Sequence, residues 1–302
     1  MTELRLGTRG SALALWQTRR VAADLAAFVQ DRAIVERIIR TRGDDDRDAP
    51  LPEIGGKGVF TDELERALLG GEVDLAVHSL KDLPIEPRAG LAIAAVCVRD
   101  DARDAMVSRI GESLHALRAG AVVGTSSTRR TAQLLCVRPD LDVRPIRGNV
   151  ETRIAKVDAG DYDATVLAAA GLLRLGLEGR VADWLPLETF LPAPGQGALA
   201  VQCRADDAAV LRLLSNLDDA DARRCTVAER SFLAGLGGGC SLPVAAYATI
   251  DHDSIHLRGF VGALNGRRTI RLEQRASLDA GRAAGLAMAE RALLDGAAEL
   301  LG

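Results

Sequence analysis

One motif occurs twice in this chain, and it constrains the fold more than any other feature. Leu4-Arg5-Leu6 runs into the small-residue turn Gly7-Thr8-Arg9-Gly10-Ser11, then an apolar-periodic stretch from Ala12 to Val29. Further on, Ala121-Val122-Val123 runs into Gly124-Thr125-Ser126-Ser127-Thr128, then a helical stretch from Arg129 to Val137. Each unit reads as strand, tight turn and helix. Each is followed by another apolar strand with an acid second in the run: Val73-Asp74-Leu75-Ala76-Val77 and Tyr162-Asp163-Ala164-Thr165-Val166. The matching order predicts two α/β lobes of like construction. A length of 302 residues holds two domains of ~150 residues, or three smaller ones.

The remaining segments fill in this plan. A strand is expected over 33–40, a charged loop rich in breakers over 43–50, and a helix over 61–69. A charged stretch from Cys97 to Arg103 and the Pro/Gly stretch Leu191–Gly197 read as two crossovers between the lobes, which places a hinge beside a cleft. Beyond about Asp219 the pattern changes. A helix over 222–236, strands over 244–250, 254–261 and 268–274, and a final helix over 278–301 predict a small α+β domain.

Charge and composition exclude several partners. Lys and Arg number 38 against 42 Asp and Glu, a formal charge of −4, and aromatics make up 3% of the chain. A slightly acidic chain with so few aromatic side chains lacks the broad basic face and stacking platforms of a nucleic-acid binder. No apolar run is long enough to span a bilayer, and the opening residues lack the apolar core of a signal peptide, so a cytoplasmic protein without a membrane partner is expected. Five scattered cysteines with no Cys-x-x-Cys pair give neither a disulfide framework nor a zinc site, and no metal is expected. His252 and His256 stand four apart, but Asp251–Ser254 reads as a hairpin turn rather than a metal-binding helix face.

Three constellations could carry chemistry. The two Gly-Thr turns put hydroxyls and unpaired N–H groups at helix N-termini, which suit anions, although Ser127 or Thr128 would also serve as an ordinary N-cap. Arg9, Arg129, Arg130, Arg147 and Arg153 recur at such strand–helix junctions. Either they pair with surface acids, or their planar forks converge on a small molecule bearing several carboxylates; the recurrence favours the second. Lys81 and Asp82 end an apolar strand, where α/β folds place ligands. Asp82 there either belongs to a plain turn before Pro84 or stabilises positive charge during a reaction. Cys240 follows Gly237-Gly238-Gly239 in an exposed turn and is either an incidental loop cysteine, a nucleophile or an attachment point.

Seven stretches together resemble the porphobilinogen deaminase (hydroxymethylbilane synthase) family: GTRGSALALWQ, GGKGVFTDELE, DLAVHSLKDLP, GTSSTRR, IRGNVETR, LPAPGQGALA and GGCSLPV, in the family's order along nearly the whole chain. The resemblance implies two periplasmic-binding-protein-like lobes with a hinge and cleft, plus a small C-terminal α+β domain. The implied boundaries are 1–98 with 197–217, 99–196, and 218–302. It implies a transferase of tetrapyrrole and heme biosynthesis that deaminates porphobilinogen and joins four molecules head to tail. The chain would grow on a dipyrromethane cofactor made from substrate, and hydrolysis would release hydroxymethylbilane.

By the same resemblance Cys240 carries the cofactor through a thioether, and Asp82 is the catalytic aspartate, stabilising positively charged pyrrole and azafulvene species. Lys81, Thr125, Ser126, Ser127, Arg129, Arg130, Arg147 and Gly148 match positions that hold the cofactor. Arg9, Ser11, Arg147, Arg153, Arg174 and Gln196 match positions that hold substrate. Lys57 and Phe60 match the lid loop. A monomer is implied. One departure is visible: Gly237 stands where relatives often carry an acidic residue. Two rivals fit the lobes or the cysteine alone: a non-enzymatic polycarboxylate-binding protein of the two-lobed solute-binding type, and a cysteine-nucleophile hydrolase.

Overall fold

The structure is a computed structural model and describes residues 3–29, 31–41, 61–239 and 241–301. In chain order the first elements are β1 (Glu3–Thr8), α1 (Ala12–Ala26), β2 (Ala33–Ile38), α2 (Asp62–Leu69), β3 (Leu75–Ser79) and β4 (Leu91–Val96). Then come β5 (Asp104–Ser108), β6 (Val122–Gly124), α3 (Thr128–Val137), β7 (Asp142–Arg144), α4 (Val150–Asp158), β8 (Ala164–Ala168), α5 (Ala169–Arg174) and β9 (Asp183–Trp184). The last are β10 (Leu199–Arg204), α6 (Ala208–Leu214), α7 (Ala220–Gly235), β11 (Val244–Asp251), β12 (Ser254–Gly262), β13 (Thr269–Ser277), α8 (Gly281–Leu294) and α9 (Ala297–Leu301). They fall into two compact units, Met1–Asp100 with Ala198–Arg223, and Asp101–Gly197 with Arg224–Gly302.

The two five-stranded sheets share one topology. In the first unit the order is β2-β1-β3-β10-β4, with β1 parallel to β2 and β3, and β10 antiparallel to β3 and β4. In the second it is β7-β6-β8-β5-β9, with β6 parallel to β7 and β8, and β5 antiparallel to β8 and β9. The strand–turn–helix repeat read from the sequence is therefore a repeat of whole sheets. In both, the motif strand lies between two parallel neighbours, so its C-terminal turn opens at the ligand-binding edge of a parallel segment.

Strands β3 and β8 are buried almost throughout, in keeping with their largely apolar sequences. Leu4, Leu6, Val77 and Val201 pack with Val21 and Leu25 of α1 on one face of the first sheet. Leu64 and Leu68 of α2 cover the other face over Val73 and Ala76. In the second sheet, Met106, Val123 and Val166 pack with Leu134 of α3, and Ala105, Val107 and Leu167 with Ile154 of α4. Each fully buried Val, Leu, Ile or Met among them contributes about 1.5–3 kcal/mol, and each alanine less.

The C-terminal part is an antiparallel sheet, β11-β12-β13, and it meets α3 through Phe260, Ala245, Ala132 and Leu191. His252 takes φ 52° in the two-residue turn between β11 and β12, as the hairpin expected there requires. The helix expected over 278–301 is instead a short 3-10 turn, α8 and α9. The break falls at Asp295-Gly296, a turn signal that outweighs the apolar periodicity around it.

Candidate functional site

In the first unit two turns meet at one sheet edge. Because β1 runs parallel to β3, with Leu6 opposite Leu75 and Gly7 opposite Ala76, both strands deliver their C-terminal residues to the same end. After β1 come half-buried Arg9 and then Ser11, which caps α1 by accepting a hydrogen bond from the Ala14 amide at 3.3 Å. After β3 comes a single 3-10 turn, Leu80–Asp82, pinned by buried Leu80 and Leu83 and by the Leu80 amide donating to the Ala198 carbonyl at 3.0 Å. Between these anchors Asp82 is held exposed and Lys81 half-buried.

Buried Gln17, which the sequence reading passed over, ties α1 to this turn by donating to Ser79 Oγ at 2.9 Å. Neighbouring His78 is also buried. Loss of hydration, then the charge of Arg9, pushes its imidazole down to about 4, so it is neutral at physiological pH. Its neutrality leaves the cations of this edge to Arg9 and Lys81.

In the second unit the turns after β6 and β7 are joined in the same manner. Ser126 Oγ donates to the Ile146 carbonyl at 2.8 Å and accepts from the Ile146 amide at 3.2 Å. Buried Thr125 accepts from the Ser127 amide at 3.2 Å, and Ser127 caps α3 by accepting from the Arg130 amide at 3.4 Å. Asn149 caps α4, accepting from the Thr152 amide at 2.9 Å. Gly148 precedes it with φ 110°, and Arg153 Nε donates to the Gly148 carbonyl at 2.9 Å. Ser126, Arg147, Gly148 and Arg153 thus share one pair of linked turns.

Arg129 and Arg130 are almost wholly buried, and both are held by Asp104 at the head of β5. Arg129 Nη1 donates to Asp104 Oδ2 at 2.6 Å and to the Leu191 carbonyl at 2.8 Å. Arg130 donates from Nη2 at 2.6 Å and Nε at 3.1 Å to Asp104 Oδ1, and from Nη1 to the Val166 carbonyl at 2.9 Å. Gln196 Nε2 donates to the same Oδ1 at 2.9 Å. Burial alone would raise the Asp104 carboxyl, but the two guanidiniums outweigh it and hold it well below the usual carboxylate range. Burial lowers Arg129, and Asp104 works against that loss. Two cations and one anion leave a surplus positive charge in low-dielectric surroundings, an environment that favours a carboxylate. The residues present therefore fit a cofactor bearing acidic side chains.

The strap Leu191–Gly197 is fastened along its length. Leu191 exchanges hydrogen bonds with the Gln133 amide, at 2.7 and 2.9 Å. The Gly195 amide donates to Glu229 Oε2 at 2.7 Å, and buried Arg174 donates to the Gly197 carbonyl at 2.8 Å. Glu229 Oε1 also accepts from the Ala248 amide at 2.8 Å, so α7 is bound to both the strap and β11. Asp104, Gln133 and Glu229 were missed in the sequence because each sits in a run that reads only as strand or helix. An acid heading the apolar run Ala105-Met106-Val107 was the one signal available for Asp104.

Cys240, Lys57 and Phe60 lie outside the described residues. The residues beside Cys240 are placed: Gly237, Gly238 and Gly239 take φ of 94°, 64° and 128°, and Thr128 Oγ1 donates to the Ser241 carbonyl at 2.8 Å. An acidic side chain at 237 would be strained in that conformation. Cys203 is buried within the first sheet and its thiol is pushed up to about 11 by loss of hydration, which makes it inert.

The family model described as porphobilinogen deaminase, dipyromethane cofactor binding domain, matches residues 4–212. A second, porphobilinogen deaminase, C-terminal domain, matches 223–294. Among solved structures, a periplasmic VFT2 domain of BvgS from Bordetella pertussis is similar at 16% identity and TM-score 0.43, over 72% of this chain and 86% of that one. The periplasmic aliphatic sulphonate binding protein SsuA from Escherichia coli is similar at 14% identity and TM-score 0.42, over 80% and 76%. The BenM effector binding domain is similar at 11% identity and TM-score 0.42, over 71% and 90%. Among the described residues no helix is long and apolar enough to cross a membrane.

Proposed function

The chain belongs to the porphobilinogen deaminase family, and from that membership we propose that it is a hydroxymethylbilane synthase. It would convert four molecules of porphobilinogen and one of water into the linear tetrapyrrole hydroxymethylbilane and four of ammonia. The observation that carries this reading is the hydrogen bond from Thr128 to the Ser241 carbonyl. It seats the loop next to Cys240 at the N-terminus of the helix bearing Arg129 and Arg130. A group fixed to that loop would find cations and helix amides for its acidic side chains.

A dipyrromethane linked through the Cys240 sulfur would, when bound, supply the pyrrole carbon on which the chain starts. Thr125, Ser126, Ser127, Arg129, Arg130, Arg147, Gly148 and Lys81 would hold it. Arg9, Ser11, Arg153, Arg174 and Gln196 would hold incoming substrate by its carboxylates, with Lys57 and Phe60 in a covering loop. The Asp82 carboxylate, fixed on its 3-10 turn, would face the substrate pyrrole N–H. As ammonia leaves, positive charge develops on that ring, and a preorganised carboxylate lowers the barrier to its formation. Residues 1–98 with 197–217, 99–196 and 218–302 would act as three domains of a cytoplasmic monomer that binds neither nucleic acid nor membrane.

The test is the stoichiometry of the purified protein with porphobilinogen. One ammonia per porphobilinogen consumed, with a linear tetrapyrrole as product, is expected. Binding of porphobilinogen without its consumption would overturn the proposal in favour of a polycarboxylate-binding protein.

A further inference from the structure

We infer that Asp104 is the positioning residue of this site: it commits Arg130 to the protein and turns Arg129 toward the ligand. The inference rests on the reading above, in which both arginines belong to the cofactor site, and it divides their parts: Arg129 receives a carboxylate, and Arg130 shapes the site from within the protein. All three guanidinium nitrogens of Arg130 are engaged, Nε and Nη2 on Asp104 and Nη1 on the Val166 carbonyl. Arg129 spends only Nη1, on Asp104 and Leu191, and its Nε and Nη2 form no hydrogen bond among the described residues. The Nε–Nη2 edge is the one that grips a carboxylate with two parallel bonds. Asp104 occupies that edge in Arg130 and leaves it open in Arg129.

Three observations show that this arrangement is imposed rather than incidental. Asp104 has no exposed surface, so water cannot replace it. Its oxygens gather three residues expected to bind ligand, Arg129, Arg130 and Gln196, from two separate segments. Finally, two buried guanidiniums on adjacent residues repel each other, and Asp104 is the anion that lets both lie there. An asparagine of the same size could neither balance the charges nor accept from Nε and Nη2 together on a charged oxygen.

The experiment compares wild type, Asp104→Asn and Asp104→Glu by kcat, KM for porphobilinogen, circular dichroism, and intact mass for the share of protein carrying dipyrromethane. For folded Asp104→Asn, KM is expected to rise at least about tenfold, kcat per loaded enzyme to change less than about threefold, and the loaded share to fall. Asp104→Glu keeps the charge but displaces the guanidiniums by one methylene, and should fall between the two. KM and loading within about twofold of wild type in folded Asp104→Asn would overturn the inference and leave Asp104 a fold-stabilising residue. If the Asn variant does not fold, the Glu variant decides by the same measures, and failure of both to fold also counts against positioning. Absence of turnover by wild type itself would instead contradict the proposed function.

Discussion

Glu229 offers a demanding test of how the second unit is held together. Its carboxylate is fully buried and accepts the Gly195 amide at 2.7 Å and the Ala248 amide at 2.8 Å. Glu229→Gln keeps the volume but turns one acceptor into an NH2 group facing an N–H donor. One hydrogen bond to a charged group is lost, about 1.5–3 kcal/mol, and a buried amide is left unsatisfied, about 1–3 kcal/mol. The smaller values already sum to about 2.5 kcal/mol. At about 2–4 °C per kcal/mol for a body of 150–250 residues, the melting midpoint should fall by about 5–10 °C. Differential scanning calorimetry of holoenzyme reads the shift. A fall of less than about 2 °C would refute the reasoning, because it would mean that the strap and β11 do not depend on this carboxylate.

Asp82→Asn should retain the wild-type circular dichroism spectrum and the cofactor mass yet lose turnover by at least about a hundredfold, about 2.7 kcal/mol of barrier; near-normal rates would remove Asp82 from its role. Asp74 is fully buried; desolvation would raise its carboxyl, but Arg5, bonded at 2.8–3.1 Å, and Arg204 hold it below the usual range. A depressed carboxyl contributes stability above the unfolded value near ~3.9 and loses it as pH falls through the lower folded value. The melting midpoint should therefore be level above about pH 5 and fall below about 4, and Asp74→Asn should show a shallower acid fall; equal slopes would contradict this. Gly148→Ala would force a side chain onto φ 110° with its Cβ 2.6–2.7 Å from Thr152 side-chain carbons, costing about 1–3 kcal/mol. It should also raise KM, since the turn carries Arg147 and Arg153; unchanged kinetics would separate the turn from binding.

The repeat was legible because a small-residue turn between an apolar strand and a capped helix is a local signal. Ser11, Ser127 and Asn149 cap the helices that follow them, and those caps can be read from a few neighbouring residues. Strand limits moved where pairing decides them: the strand expected at Val73 begins at Leu75, where the ladder with Leu6 starts. Strands such as β10 escaped notice because they return from far along the chain to fill a sheet, and only tertiary pairing marks them. In the site, the arginines stood out as residue types, but their partner did not. Asp104 reaches Arg129 and Arg130 across 25 and 26 positions and Gln196 across 92. A reading by local spacing sees cations at turns and cannot see that one buried acid fixes them.

The central claim is that the loop beside the arginine helix carries a covalent dipyrromethane on Cys240. Intact mass of the purified protein tests it most directly, alongside Cys240→Ser. The account predicts wild type heavier than its sequence by one dipyrromethane unit, and the serine variant at its sequence mass and inactive. A wild-type protein at its bare sequence mass that still makes tetrapyrrole would contradict it.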